Sequence, residues 1–386
     1  MSEADPGASG ADPGANGDEA RANSGEGRPS DREERILRII ETARSKQGKF
    51  KDAQITMSHG AGGKATQSLI EGLFLPAFAN ETLAPLGDSG AFEANGARLA
   101  MTTDSFVVSP LLFPGGSIGD LAVNGTVNDL AVSGAKPLAL TLSLILEEGL
   151  DTAILRREVA AVAAAAKVAE VDIISGDTKV VERGLADSLY MCTAGVGVRD
   201  PRAELSTGAL RPGDRVLVSG TMGDHGTAIM LSRGEFDLDA SIESDTRPLW
   251  PVVDALLEEV GPELRCMRDA TRGGVASVLN ELARASTVAM VVREADGPIS
   301  EEVKGASDIL GLDPWYVANE GKLVAFVAPE AADKALQTLR SIPGCERAAE
   351  IGEVRTTPPG MVIMETAFGG KRVLDLLVGD PLPRIC

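Results

Sequence analysis

The pattern of apolar positions divides the chain into a polar head and a long α/β body. Between residues 2 and 35 there is no Ile, Leu, Val, Met, Phe, Trp or Tyr, and Ala4-Asp5-Pro6-Gly7-Ala8 recurs as Ala11-Asp12-Pro13-Gly14-Ala15. Such a segment has no apolar area with which to offset its chain entropy, so it is expected to be disordered. Ser30 and Glu33 have the spacing of a capping box and precede Ile36, Leu37, Ile39 and Ile40, which predicts a short amphipathic helix over 31–45. From residue 55 onward, short apolar runs alternate with stretches in which apolar residues recur every third or fourth position. The runs predict strands over 99–103, 138–146, 171–175, 189–198, 216–219, 288–293 and 322–328. The longer stretches predict helices over 66–74, 121–133 (closed by Gly134), 152–169, 226–233, 248–260, 272–285 and 330–341. Pro212-Gly213-Asp214 punctuates the pattern. The expected organisation is a leader over 1–50, a first α/β domain over 51–205, a second over 206–378 and a tail over 379–386. Alternation of strands and helices gives the class without fixing the topology.

Composition narrows the partners. The 386 residues are 44% hydrophobic and 24% charged, with a net charge of −20. That sign argues against a nucleic-acid backbone, and no apolar run is long enough to span a bilayer, so neither nucleic acid nor membrane is an expected partner. Cys192, Cys266, Cys345 and Cys386 show no CxxC spacing, and the start has no apolar signal-like run. A reducing, cytoplasmic setting follows as the expectation.

The candidate chemistry lies in four acidic turns, two glycine-rich loops and the tail. Asp104 follows Met101-Thr102-Thr103, Asp129 closes Gly125-Thr126-Val127-Asn128-Asp129, Asp177 stands in Ser175-Gly176-Asp177-Thr178-Lys179, and Asp269 in Arg268-Asp269-Ala270-Thr271-Arg272-Gly273-Gly274. Carboxylates flanked by small residues suit a Mg²⁺ ion that bridges to nucleotide phosphates, because the ion takes hard oxygen ligands and the phosphates must approach closely. Taken singly, each Asp also suits a turn or helix cap. His59-Gly60-Ala61-Gly62-Gly63-Lys64 offers backbone N–H groups ahead of a helix, as a phosphate cradle or a plain flexible loop, and it lacks the Walker A spacing. Lys179 is placed to hold a developing negative charge, and Glu320, just before an apolar strand, to act as a desolvated base; each also reads as a surface charge. His225, in Gly223-Asp224-His225-Gly226, reads as a core or capping histidine.

The sequence closes with Pro381-Leu382-Pro383-Arg384-Ile385-Cys386. Two prolines lower the entropy of holding this arm extended, and from Gly379 it spans roughly 25 Å at about 3.3 Å per residue. An isolated thiol there is about a few per cent ionised at neutral pH, better suited to carrying a group than to attacking unaided.

Together these motifs resemble the HypE family of hydrogenase maturation proteins, in the superfamily of aminoimidazole ribonucleotide synthetase, selenophosphate synthetase and thiamine-monophosphate kinase. The resemblance covers roughly residues 55–386; the terminal Pro-Arg-Ile-Cys is its most specific element, and the leader departs from the usual short start. It implies a two-domain aminoimidazole ribonucleotide synthetase-like α/β (α+β) fold, with a ferredoxin-like first domain that forms homodimers by pairing its sheets. It also implies a reaction. The carbamoyltransferase HypF places a carboxamide on Cys386, which is then dehydrated with ATP to a thiocyanate. The cyanide passes to iron on the HypC–HypD scaffold for the nickel–iron hydrogenase metallocentre. In that scheme Gly60, Gly62, Gly63, Asp104, Asn128, Asp129, Asp177 and Asp269 serve ATP, with Asp104, Asp129 and Asp177 on Mg²⁺. Lys179 stabilises charge on the phosphorylated oxygen, Glu320 accepts a proton and Cys386 carries the substrate.

Two alternatives stay open on the residues alone. Another enzyme of the superfamily would share the nucleotide motifs without needing the thiol; selenophosphate synthesis is the less expected, since residues 1–191 contain no Cys. A non-enzymatic thiol carrier or metallochaperone would keep Cys386 and leave the nucleotide cleft inactive.

Overall fold

The computed structural model describes residues 50–78, 80–234, 241–379 and 382–386. The expected helix over 31–45, nearly all of the 1–50 leader, and Pro381 lie outside the described residues. Among those described, no helix is long and apolar enough to cross a membrane.

The chain first forms a glycine-rich turn and helix α1 (Lys64–Leu69), continued by a π-helical turn (Ile70–Phe74) and a last helical turn (Leu75–Phe78). Strands β1 (Gly90–Ala94) and β2 (Ala97–Phe106) then pair across Asn95-Gly96, both at positive φ, the backbone that a two-residue hairpin of this twist demands. A two-residue hairpin, β3 (Leu112–Phe113) and β4 (Gly116–Ser117), leads into α2 (Ile118–Val132), β5 (Ala135–Glu147), α3 (Thr152–Val168), β6 (Asp172–Val181) and β7 (Leu189–Arg199). The five long strands make one mixed sheet in the order β1-β2-β7-β5-β6.

Helix α2 starts where Ser117 and Asp120 form a capping box and ends at Gly134, which takes φ +74. With α3 it covers one face of the sheet, where Phe106, Leu121, Val123, Leu140, Val162 and Met191 form a core. The far side of α2 is buried as well, because Ala131 and Val132 join Leu249, Leu256 and Leu264 in a second core. A helix buried nearly all round must sit between two bodies, and α2 does.

The second sheet has seven strands. In chain order come β8 (Arg215–Val218), α4 (Asp224–Ser232), α5 (Trp250–Val260), β9 (Leu264–Asp269), α6 (Gly274–Ala285), β10 (Ala289–Arg293), α7 (Glu301–Leu310), β11 (Leu323–Val327), α8 (Ala332–Arg340), β12 (Ala349–Arg355), β13 (Met361–Glu365) and β14 (Lys371–Val373). Their spatial order is β14-β13-β10-β12-β8-β11-β9. All of β11 is buried, with Val324 and Phe326 facing one core and Leu323, Ala325 and Val327 the other, as a strand covered on both faces requires. The architecture is thus two α/β layers joined through α2, and the ends of β2, α2, β9 and β11 converge at that junction.

Candidate active site

Four elements that meet at the junction each contribute a carboxylate. Asp269 ends β9, Asp129 lies in the last turns of α2, Asp104 is on β2, and Asp88 precedes β1. One oxygen from each of Asp88, Asp129 and Asp269 lies within 4.8 Å of the others. Burial and mutual repulsion push all three up in proton affinity, Asp269 to about 7, while Arg268 beside Asp88 (2.7 Å) opposes the rise at Asp88 and Asp269. Thr102 donates to Asp129 at 2.7 Å and Thr126 to Asp104 at 3.2 Å. A crowded, buried set of hard oxygen donors is a poor place for bare charge and a fitting one for a divalent cation.

Glu320 sits in the loop before β11 and is buried. Its backbone is clamped: Asp245 accepts its N–H at 3.0 Å, and the Asn128 amide donates to its carbonyl at 3.0 Å. Asp245 in turn pairs with buried Lys322 at 2.9 Å. Desolvation raises the Glu320 carboxyl to about 8.

The tail docks beside it. Val107 donates to the Cys386 carbonyl at 2.9 Å, Ser109 to the Arg384 carbonyl at 3.2 Å, and Arg384 returns a bond to the Val107 carbonyl at 2.9 Å. Arg384 also pairs with Asp187 at 2.6 Å, and Arg233 donates to the Arg384 carbonyl at 3.0 Å and to that of Pro383. Leu382 and Ile385 are buried against the first core. In this docked state the Cys386 thiol hydrogen-bonds the Glu320 carboxylate, and burial, then that charge, push the thiol well above its ordinary value.

Several cavities adjoin these groups, among them one of about 300 Å³ beside Asp88 and Arg268. Another of about 40 Å³ is lined by Asp104, Asp129, Asp269, Arg272, Glu320 and Cys386. A third of about 150 Å³ shares Arg272 and Cys386 and adds Gly60, Ala61 and Tyr316. The largest, about 760 Å³, runs past Gly62, Gly63, Gly87, Ser89, Thr207 and Arg268.

The structure therefore gathers Cys386, Glu320, Asp104, Asp129 and Asp269, and sets Gly60, Gly62 and Gly63 along the cavity walls. It places three expected residues differently. The Asn128 side chain donates to the Arg247 and Glu320 carbonyls and accepts from Leu249 N–H at 2.7 Å, so its amide is taken up in joining the two layers. Asp177 and Lys179 lie on exposed β6, paired with each other at 2.8 Å. Within a single chain they stay outside the acid cluster. Asp88 and Arg272 are the residues that sequence reading passed over. Both stand beside glycines in motifs that read as turns, and that local signal does not distinguish a ligand from a turn residue.

The comparisons with known proteins agree over most of the chain. The AIR synthase related protein N-terminal domain matches residues 87–199, and the corresponding C-terminal domain matches 211–364. A carbamoyl dehydratase HypE from Bradyrhizobium diazoefficiens is 51% identical over 332 residues, covering 86% of this chain and 96% of its own. A HypE structure solved in complex with ATP has a TM-score of 0.73 at 45% identity, covering 86% of this chain and 100% of that one. A HypE–HypF complex has a TM-score of 0.76 at 43% identity, covering 80% and 99%.

Proposed function

The chain belongs to the HypE family of carbamoyl dehydratases, and on that footing we propose how its cleft turns an S-carboxamide on Cys386 into a thiocyanate with ATP. The observation that carries the reading is the docking of Cys386 onto buried Glu320 beside the acid cluster. ATP fits the largest cavity, with its phosphates directed past Arg268 toward Asp88, Asp129 and Asp269. Asp88, Asp129 and Asp269 would hold a Mg²⁺ ion, which would supply positive charge against the phosphates.

The carboxamide oxygen attacks the γ-phosphorus and ADP leaves. The C–O bond then breaks, phosphate departs with the former carbonyl oxygen, and two N–H protons are lost as the C≡N bond forms, one to Glu320 and one to the departing phosphate. Hydroxide is a poor leaving group from an amide carbon; phosphate is a good one. Glu320, with its carboxyl at about 8, is a strong enough base to take an N–H proton once ionised. Arg272 lines both small cavities and lowers the proton affinities of Asp104, Glu320 and Cys386, so it is the cation placed to hold charge on the phosphorylated oxygen.

Lys179 needs a second copy. On β6, Ile174 and Val180 are each 66% exposed, an unusual edge for a lone chain. Pairing of two first sheets would cover that edge and bring Asp177 and Lys179 toward a partner's cleft. HypF is the proposed carbamoyl donor and HypC–HypD the acceptor of cyanide, with the reaction in the cytoplasm.

The test is mass spectrometry of the tail peptide. Incubation with HypF and its substrates should add about 43 Da to Cys386, and Mg-ATP should then remove about 18 Da, the masses of a carboxamide replacing hydrogen and of water. No adduct on Cys386 under conditions that modify another family member would overturn the reading.

A further inference from the structure

His225, at the start of α4, is fully buried, and the dehydration chemistry above makes no use of it. Its Nε2 lies 2.6 Å from the carbonyl oxygen of Ile385, and its Nδ1 lies 2.8 Å from Ser244 Oγ. A carbonyl only accepts, so Nε2 carries the proton and Nδ1 accepts from the serine hydroxyl. Ser244 Oγ in turn accepts from Thr246 N–H at 3.2 Å. A one-way chain of hydrogen bonds thus runs from the 244–246 backbone through the imidazole to the tail. Phe113 braces the ring edge-on, with centroids 5.7 Å apart, and burial keeps the imidazole neutral by lowering its proton affinity.

The tail is bound on two sides. The Arg384 carbonyl and a main-chain oxygen of Cys386 accept from Ser109 and Val107, Arg384 turns the chain at φ +52, and the Ile385 carbonyl between them faces His225, its partner. That bond exists only with the tail inside, so it favours the docked state over the released one. It also fixes where residue 385 sits, and with it where the Cys386 side chain meets Glu320. The contact is to main chain one residue before the sulfur, and it sets the ring beside the reacting groups, with one ligand atom each of His225, Glu320 and Cys386 within 4.8 Å of one another.

We propose that His225 is the positioning residue that holds the reacting tail in place, acting through the Ile385 carbonyl. This rests on the dehydratase reading above, and the test separates the two. In the full-length protein, His225→Met keeps the side chain's bulk without the donor, His225→Gln restores an N–H near Nε2, and Ser244→Ala removes the partner that selects the tautomer. Two rates are measured: alkylation of Cys386 by iodoacetamide, followed on the tail peptide, and single-turnover dehydration of HypF-carbamoylated protein with Mg-ATP. His225→Met should alkylate roughly tenfold faster and dehydrate roughly tenfold slower, the effect of losing one buried hydrogen bond. His225→Gln should recover most of both rates, and Ser244→Ala should fall between. Wild-type rates in His225→Met, or a Gln variant as impaired as Met, would overturn the proposal. If His225→Met does not fold, Ser244→Ala decides: faster alkylation with slower dehydration supports the role, and wild-type rates refute it. Should wild type itself never lose water, the dehydratase reading fails, while the alkylation series still reports on His225.

Discussion

Asp129 and Asp177 were expected to share one task, and the fold gives them opposite surroundings. Asp129 is walled in by Asp88, Asp104 and Asp269, and burial drives its proton affinity well up. Asp177 stands in solvent on β6, where hydrogen bonds from Lys179 and the Thr178 N–H pull it down. Both sit among small residues in similar-looking motifs. The contrast teaches that a carboxylate's surroundings are set by what converges on it: crowding suits Asp129 to the cation-binding role proposed for it, whereas Asp177 is paired with its neighbour.

The largest expected effect tests the buried side of this contrast. Glu320→Gln should slow dehydration by about a thousandfold, the range for removing a general base, with the carboxamide mass persisting on Cys386 after Mg-ATP; normal loss of water would remove Glu320 from the chemistry. Lys179→Met probes the exposed side, and should cost about a hundredfold in dehydration if a second copy delivers the ammonium. Sedimentation of the same variant reports whether that copy is still present, and an unchanged rate in an intact dimer would leave Lys179 a surface charge.

The pH dependence is smaller and has a definite sign. Glu320 must be ionised to accept a proton, so single-turnover dehydration should rise about tenfold per pH unit until it levels near 8. A flat profile from pH 6 to 9 would deny Glu320 that part. The smallest effects lie in stability. Asp269 binds its proton more tightly folded (about 7) than unfolded, so its protonated form stabilises fully below the unfolded carboxyl value. That stabilisation is lost as pH rises through about 7. Without cation, Asp129→Asn should therefore raise the melting temperature at pH 8 by about 2–4 °C, and Asp177→Asn, on the exposed strand, should leave it unchanged. Equal shifts would erase the contrast.

Much of the fold is legible in the apolar pattern. The helix expected over 121–133 is Ile118–Val132, and the strand expected over 138–146 is Ala135–Glu147. The clearest departure is β6, expected to stop at residue 175 because Gly176-Asp177-Thr178 reads as a turn. Pairing with β5 carries it to Val181 instead, and Gly176 serves there because a Cβ would meet the Leu142 carbonyl oxygen at 2.4 Å. Tertiary pairing overrode turn chemistry. Helix α7 and strands β12 to β14 went unread: α7, β12 and β14 are short and interrupted by Gly or charged residues, and the four-residue apolar run Met361–Met364 of β13 is too short to stand out by itself. In the site, Asp104, Asp129, Asp269 and Glu320 were visible one at a time. Their convergence, and the inclusion of Asp88 and Arg272, depends on contacts between distant segments that no local pattern encodes.

Docking also bears on the sulfur's safety. Peroxide attacks thiolate rather than thiol, and the seated Cys386 is held un-ionised by its surroundings. Oxidative damage should therefore fall in the moments when the arm is out being loaded or unloaded. The protein's lifetime in an aerobic cell would then be set by how long its tail stays away.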